Sequence, residues 1–307
     1  MSELMIEATD VSKSFGDVRA LDGVSIAVPK GSVLGLLGHN GAGKTTLVNV
    51  LTTMLPPTSG EARVAGFDVV HQSYKVRSRI GLTGQFASVD EALSGFDNLV
   101  LIARLLGASK RQARDRADEL LEQFDLTDAA KRPAKTYSGG MRRRLDLASS
   151  LVGRPEVLFL DEPTTGLDPA SRLGVWETVE KLVSDGTTVL LTTQYLDEAD
   201  RLADSITVLS QGKVVAAGTS AELKAQVGQR TVTVTLDSVS EVDTAVEALT
   251  GIGMHPVAEG RTITTPVTAS RELANVVRAL DERGLEPHDI ALGEPTLDDV
   301  YMALAAA

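Results

Sequence analysis

With 307 residues, 43% of them hydrophobic and 23% charged, the chain is long enough for two domains and a sizeable core, and disorder is excluded. A net charge of −12 and a pI near 4.9 argue against a duplex-binding surface, so no nucleic-acid partner is expected; the local basic run Arg142-Arg143-Arg144 is short. There is no cysteine and hence neither a disulfide nor a thiolate metal site, and the four histidines (His39, His71, His255, His288) are scattered without metal-ligand spacing.

No window approaches the roughly 18 to 20 apolar residues of a membrane span, and the N-terminus lacks the basic-then-apolar layout of a secretory signal. The chain is expected to be soluble and cytoplasmic. If it works at a membrane, another polypeptide does the spanning.

The opening segments, Met5 to Phe15 and Ala20 to Val28, alternate apolar and polar residues, with turns at Gly16-Asp17 and Asp22-Gly23, and predict an antiparallel β-region. Val33-Leu34-Gly35-Leu36-Leu37 is a run of buried-strand length, and Thr46-Leu47-Val48-Asn49-Val50-Leu51 reads as a helix opening. Between them, Gly38-His39-Asn40-Gly41-Ala42-Gly43-Lys44-Thr45 matches the phosphate-binding pattern G-x-x-x-x-G-K-[ST] at every fixed position. Glycines at 38, 41 and 43 permit backbone conformations that let successive N–H groups converge on a phosphate at a helix N-terminus. Lys44 adds a mobile charge for the β- and γ-phosphates, and the Thr45 hydroxyl is suited to ligate Mg²⁺.

Pro56-Pro57-Thr58-Ser59-Gly60 punctuates, Glu61 to Phe67 is a short strand, and Arg79-Ile80-Gly81-Leu82-Thr83 leads to Gln85. A helix-rich stretch follows from about 95 to 130; its segment Asn98 to Leu106, dense in leucine, is either packed core or a docking face for a partner. At Tyr137-Ser138-Gly139-Gly140-Met141, Ser138 is placed to cap a helix whose mouth Gly139 and Gly140 clear of side chains, a second potential anion site. Val157-Leu158-Phe159-Leu160 then delivers Asp161-Glu162-Pro163 to a strand's C-terminal end, where open α/β sheets bind ligands. Asp161 is suited to hold Mg²⁺ through water, and Glu162 to orient or deprotonate an attacking water.

Gly166-Leu167-Asp168-Pro169 turns the chain into a helix from about 170 to 184, and Thr187 to Thr193 is a buried strand with Gln194 at its end. This strand, helix, strand repetition predicts a mainly parallel sheet between helices. A hairpin over 206–209 and 213–218 and a short helix near 220 to 227 close the first domain, residues 1–227, whose helical subdomain spans about 86–150. Residues 228–307 read βαββαβ, the ferredoxin-like order, followed by a last helix from about 296 to 304. This α+β domain carries no recognisable chemistry, so a regulatory or assembly role is expected of it.

Taken together, the motifs resemble the ATP-binding subunit of ABC transporters over residues 4 to 226, in the family's order: Walker A, the Q-loop glutamine, the signature helix, Walker B with its glutamate, the D-loop and the switch position. The Tyr137 to Arg144 version of the signature, Thr192-Thr193-Gln194-Tyr195, and the ending Pro295-Thr296-Leu297-Asp298-Asp299-Val300-Tyr301 look like the daunorubicin-resistance type of drug exporter. The resemblance implies that ATP and Mg²⁺ are bound by Gly38, Asn40, Gly41, Ala42, Gly43, Lys44, Thr45 and Thr46, with Asp161 on the metal. It places Phe15 where the family stacks a ring on adenine, although the residue type also suits a core phenylalanine. Gln85 matches the residue that touches Mg²⁺ or water and senses the membrane subunit. Ser138, Gly139 and Gly140 match signature residues, of which Ser138 and Gly140 contact the γ-phosphate held by the opposite subunit, and Asp168 matches the D-loop residue communicating across that interface. One of each half-site per chain implies a head-to-tail homodimer enclosing two ATP molecules, and the helical stretch after Gln85 matches the part that docks on a separate transmembrane permease.

Two departures stand out. Tyr137 and Met141 replace the ends of the usual Leu-Ser-Gly-Gly-Gln, and Gln194 stands where the family usually has histidine. Glutamine donates a hydrogen bond but cannot titrate near neutral pH, which makes Gln194 a positioning sensor. The expected function is ATP hydrolysis, with Glu162 as general base and Gln194 and Gln85 assisting. It energises export of drugs or other amphiphilic compounds from the cytoplasmic face of the membrane. A soluble ABC ATPase and an importer subunit are the rival expectations.

Overall fold

The computed structural model describes residues 3–84, 89–227 and 230–306. The chain divides into two compact units, Met1–Ser220 and Ala221–Ala307. In chain order the first unit contains β1 (Leu4–Phe15), β2 (Val18–Pro29), β3 (Val33–Leu37), α1 (Lys44–Leu51), β4 (Ser59–Val64), β5 (Phe67–Asp68), α2 (Ser73–Arg77), β6 (Ile80–Thr83), α3 (Gly95–Leu105) and α4 (Lys110–Gln123). It continues with α5 (Gly139–Ser150), β7 (Val157–Asp161), α6 (Pro169–Ser184), β8 (Thr188–Thr193), α7 (Leu196–Leu202), β9 (Ser205–Ser210) and β10 (Lys213–Gly218).

Six strands form the central sheet in the order β10-β9-β3-β8-β7-β6, every neighbouring pair parallel except the β9–β10 hairpin. Strands covered on both faces are mostly apolar, which is why β3, Val157–Leu160 of β7 and Val189–Leu191 of β8 read as continuous runs. The two-residue period sorts their side chains. Leu34, Leu36, Val157, Phe159 and Leu190 pack with Leu47 and Leu51 of α1 and with Ile6, Leu21 and Val24 of the antiparallel sheet β2-β1-β4-β5. Val33, Leu158, Leu160, Val189 and Leu191 face the helices, meeting Leu99 of α3, Leu120 of α4, Leu145 and Leu147 of α5, and Val175 and Trp176 of α6. Each such burial contributes about 1.5–3 kcal/mol.

Register decides what the sheet presents at its C-terminal edge. Leu37 pairs with Thr193 and Asp161 with Thr192, so Gly38, Glu162 and Gln194 each follow a strand end on the same edge. In α3 the leucine-rich segment divides between core and surface. Leu99 and Ala103 are buried in the core, while Leu101, Leu105 and, at the helix's end, Leu106 are exposed.

The second unit contains α8 (Ser220–Val227), whose first residue belongs to the first unit, then β11 (Arg230–Thr235), α9 (Val242–Gly251), β12 (Val257–Glu259), β13 (Thr262–Val267), α10 (Arg271–Asp281), β14 (Asp289–Gly293) and α11 (Leu297–Ala306). The division therefore falls seven residues before the change of pattern at Gly228. Its antiparallel sheet runs β12-β13-β11-β14, which is the ferredoxin-like strand order. Val232 and Val234 alternate with threonines and pack against Leu249 of α9 and Val276 and Leu280 of α10. Among the described residues no helix is long and apolar enough to cross a membrane.

Candidate functional site

The turn from β3 into α1 is shaped by its glycines. Gly38 has φ +154° and Gly43 φ +108°; a Cβ on Gly38 would lie 2.5 Å from the Leu209 carbonyl oxygen and one on Gly43 2.7 Å from that of Ala20. Neither space nor backbone conformation admits another residue. Gly43 caps α1 without a side chain, so the first N–H groups of the helix meet no side-chain acceptor there. Asn40 and Gly41 are exposed at the crest, Thr46 is half-buried, and Ala42 is buried with its N–H donated to the His39 carbonyl at 3.1 Å.

Lys44 is 5% exposed, and its ammonium donates to the carbonyls of Gly38 (2.6 Å) and His39 (3.3 Å). Burial holds its pKa below the usual lysine value against the opposing pull of Glu162 and Asp161. Thr45 Oγ1 donates to Asp161 Oδ2 at 3.3 Å, bringing together two residues 116 positions apart in sequence. The other oxygen of Asp161 accepts from Thr192 Oγ1 at 2.5 Å. Glu162 adopts φ +50°, a left-handed conformation uncommon outside glycine, and its N–H is held by the carbonyl and hydroxyl oxygens of Thr192, both at 3.1 Å. Its carboxylate accepts from Thr165 Oγ1 at 3.3 Å. Ala20, His39, Asn40, Gly41, Gly43, Lys44, Thr45, Thr46 and Glu162 line one cleft of about 400 Å³.

Ser138 and Gly140 lie elsewhere, lining a separate cleft of about 550 Å³ that shares no residue with the first. Ser138 caps α5 by accepting from the Met141 N–H at 3.2 Å. A Cβ on Gly140 would lie 2.5 Å from Ser171 Oγ, whereas one on Gly139 would meet only Leu167 at 3.9 Å. Asp168 caps α6, accepting from the N–H (3.1 Å) and hydroxyl (2.6 Å) of that same Ser171, and these bonds hold its carboxyl below the usual range. Tyr137 is buried, its hydroxyl donating to the Ala129 carbonyl at 2.8 Å. Gln194 is exposed beyond β8. Phe15 is 48% exposed, with the Lys13 ammonium 5.2 Å from its ring centre, and lines neither cleft. It is therefore not a core side chain. Gln85 lies outside the described residues.

Geometry adds residues that the sequence reading passed over. Thr192 orients both acidic residues of the cleft. Arg143, half-buried in α5, contacts the Asp161–Pro163 segment, and Glu198 of α7, fully buried, accepts from Thr164 Oγ1 and Trp176 Nε1, both at 2.9 Å. Burial pushes the Glu198 carboxyl up. A hydroxyl inside an apolar strand, an arginine in a basic run and a glutamate on a short helix carry no motif of their own.

The comparisons with known proteins decide the family. The family model for ABC transporters matches residues 21–165. A daunorubicin resistance ATP-binding protein of Streptomyces coeruleorubidus is 53% identical over 99% of this chain and 96% of its own length. The chain belongs to the ATP-binding subunits of ABC transporters. A daunorubicin/doxorubicin resistance ATP-binding protein of Streptomyces peucetius is 48% identical over 97% of this chain and 92% of its own. Among solved structures, an ATP-binding cassette captured as a dimer in a post-hydrolysis state with ADP and Pi matches with a TM-score of 0.64 and 25% identity, over 70% of this chain and 98% of that one. ABC ATP-binding subunits are ATPases that bind nucleotide, and the cleft around Lys44 lies on the Walker A residues of this one.

Proposed function

We propose that this subunit hydrolyses MgATP at the cytoplasmic face of a membrane and energises export of amphiphilic drugs through a separate transmembrane permease. The carrying observation is the convergence of Lys44, Thr45, Asp161 and Glu162 on one edge of the sheet. The backbone of Gly38 to Thr46 cradles the phosphates and Lys44 exchanges its loop carbonyls for β- and γ-phosphate oxygens. Glu162, held beside the cleft, takes the proton of the attacking water.

A magnesium ion fits the donors present. Thr45 and Asp161 supply one hydroxyl and one carboxylate 3.3 Å apart, and no group of three or more His, Cys, Asp or Glu side chains suited to a metal occurs among the described residues. Such a sparse oxygen set suits an ion that keeps waters and takes substrate phosphates as ligands. When bound, it neutralises charge on the β- and γ-phosphates.

Ser138 and Gly140 line a cleft apart from the one containing Lys44, which supports a head-to-tail homodimer in which each α5 meets the γ-phosphate bound by the other copy. The solved dimeric cassette supports the same arrangement. Gln194 sits on the catalytic edge as a neutral hydrogen-bonding sensor, and the half-exposed ring of Phe15 offers a stacking surface to adenine. The exposed leucines of α3 are the face offered to the permease.

The test is the ATPase rate of the purified protein, alone and reconstituted with the membrane protein encoded beside it, with and without anthracycline-like amphiphiles. Stimulation by both permease and drug is the expected result. A rate indifferent to both overturns the exporter reading.

A further inference from the structure

We infer that Arg143 is a positioning residue for Glu162, through which the helix that begins at the signature serine sets the geometry of the general base; the inference rests on the reading of Glu162 as that base. Arg143 stands in the second turn of α5, its side chain 13% exposed. Its Nε donates to the Pro163 carbonyl at 2.5 Å and its Nη2 approaches the Asp161 carbonyl at 3.5 Å, so one guanidinium reaches the carbonyls of the residues before and after Glu162. Nη1 donates to the Gly84 carbonyl at 3.1 Å and to Asp146 Oδ2 at 3.0 Å, and that carboxylate, itself 1% exposed, fixes the guanidinium from behind.

What the clamp holds is a conformation that does not hold itself. Glu162 has φ +50°, which a residue with a side chain keeps only where its surroundings enforce it. Upstream enforcement comes from Thr192, whose carbonyl and hydroxyl both accept from the Glu162 N–H. Downstream, the Glu162 carbonyl accepts the Thr165 N–H at a long 3.4 Å, Pro163 has no N–H to offer, and Arg143 grips the Pro163 carbonyl at 2.5 Å. Thr164, one residue further, is tied to Glu198 of α7. Without Arg143 the downstream side of Glu162 keeps only the two long bonds from Thr165, at 3.4 and 3.3 Å, and the anchor at Thr164. A planar guanidinium has enough donors for three carbonyls and a carboxylate at once, whereas an ammonium is a single point.

The experiment uses the full-length protein. Arg143→Lys keeps a cation beside Asp146, and Arg143→Gln combined with Asp146→Asn removes both charges of the buried pair, so neither leaves a lone buried charge. In both, kcat is expected to fall about 10- to 100-fold, as for a catalytic group misplaced by about an ångström, while KM and affinity for a fluorescent ATP analogue stay within about twofold. In a Glu162→Gln background, where residual turnover is followed over hours, Arg143→Lys is expected to add no further loss, because both changes disable one unit. Turnover within twofold of the parent in Arg143→Lys, a loss confined to KM, or a full multiplicative loss in the Glu162→Gln background overturns the inference. Undiminished turnover in Glu162→Gln alone overturns the base reading and the inference with it, whereas a disabled Glu162→Gln beside an unaffected Arg143→Lys removes the inference alone.

Discussion

Two helix N-termini in the first unit are built in opposite ways. At α1 the cap is a glycine in the left-handed region without a side-chain acceptor, a buried lysine stands at the first turn, and two carboxylates, Asp161 and Glu162, stand at the end of β7, two strands away in the sheet. At α5 the cap is a serine that already accepts the Met141 N–H, two glycines open the first turn, and the near acidic residue, Asp168, is committed to Ser171. The first end brings its own charge, a hydroxyl and a carboxylate suited to a metal, and its own candidate base. The second brings an oriented hydroxyl and backbone donors, the equipment of a site that completes a phosphate held by something else. The difference teaches that one helix end gathers charged groups while the other offers an oriented hydroxyl and open backbone; in the homodimer proposed above the two would meet across copies.

The sharpest way to break this comparison is Glu162→Gln, which is expected to retain ATP binding and to lose about 10³-fold or more in kcat, read by phosphate release against equilibrium binding of a fluorescent nucleotide. Unchanged turnover would take the base away from the α1 centre. Lys44→Ala is expected to weaken nucleotide binding by about 100-fold, since a charged hydrogen-bond donor to phosphate contributes about 1.5–3 kcal/mol and the emptied pocket adds to the loss. Titration of the isolated protein measures it, and a change of less than twofold would deny Lys44 its role.

Gly140→Ala tests the recognition edge. The added methyl would overlap Ser171 and is expected to cost about 1–3 kcal/mol of stability, with nucleotide affinity at the α1 cleft unaltered. Gly139→Ala, with nothing nearer than 3.9 Å, is expected to cost less than half as much. Thermal denaturation ranks the two, and equal losses would contradict the packing. The smallest effect concerns Glu198. Its carboxyl is pushed up by burial, so the folded state prefers the protonated form, and stability falls as pH rises from the unfolded value through the folded one. Glu198→Gln keeps an acceptor for Thr164 and Trp176 and has no charge to bury. Its melting temperature relative to the parent is expected to be highest above that window and to converge as pH drops below about 4.3, the ordinary glutamate value. A difference independent of pH would mean that Glu198 is not the titrating group.

Much of this was readable in the residues. G-x-x-x-x-G-K-[ST] between an apolar run and a helix opening located the first centre because only glycine tolerates the backbone at Gly38 and Gly43, so chemistry and geometry leave the same mark. Asp161 and Glu162 were readable because a buried strand must be apolar until it ends. The ferredoxin-like order of the second unit followed from alternation and turns. What the sequence does not display is partnership across distance. Thr192 reads as one more β-branched strand residue, yet it orients both Asp161 and Glu162. Arg143 sits in a run whose neighbours, Arg142 and Arg144, bond outward to Glu91 and Asp125, and only folding turns it alone toward the catalytic edge. The leucine-rich α3 resisted a single reading because the helix has two apolar faces, of which one is core.

The contact between Gly140 and Ser171 has a mechanical meaning. Ser171 touches the start of α5 with its Oγ side and, with the same oxygen, holds Asp168 at the start of α6. Close-packed neighbours of this kind shift together rather than deform. Gly140 and Asp168 thus share one neighbour: a shift of α5 that moved Gly140 toward Ser171 would press on the side chain that holds the cap of α6.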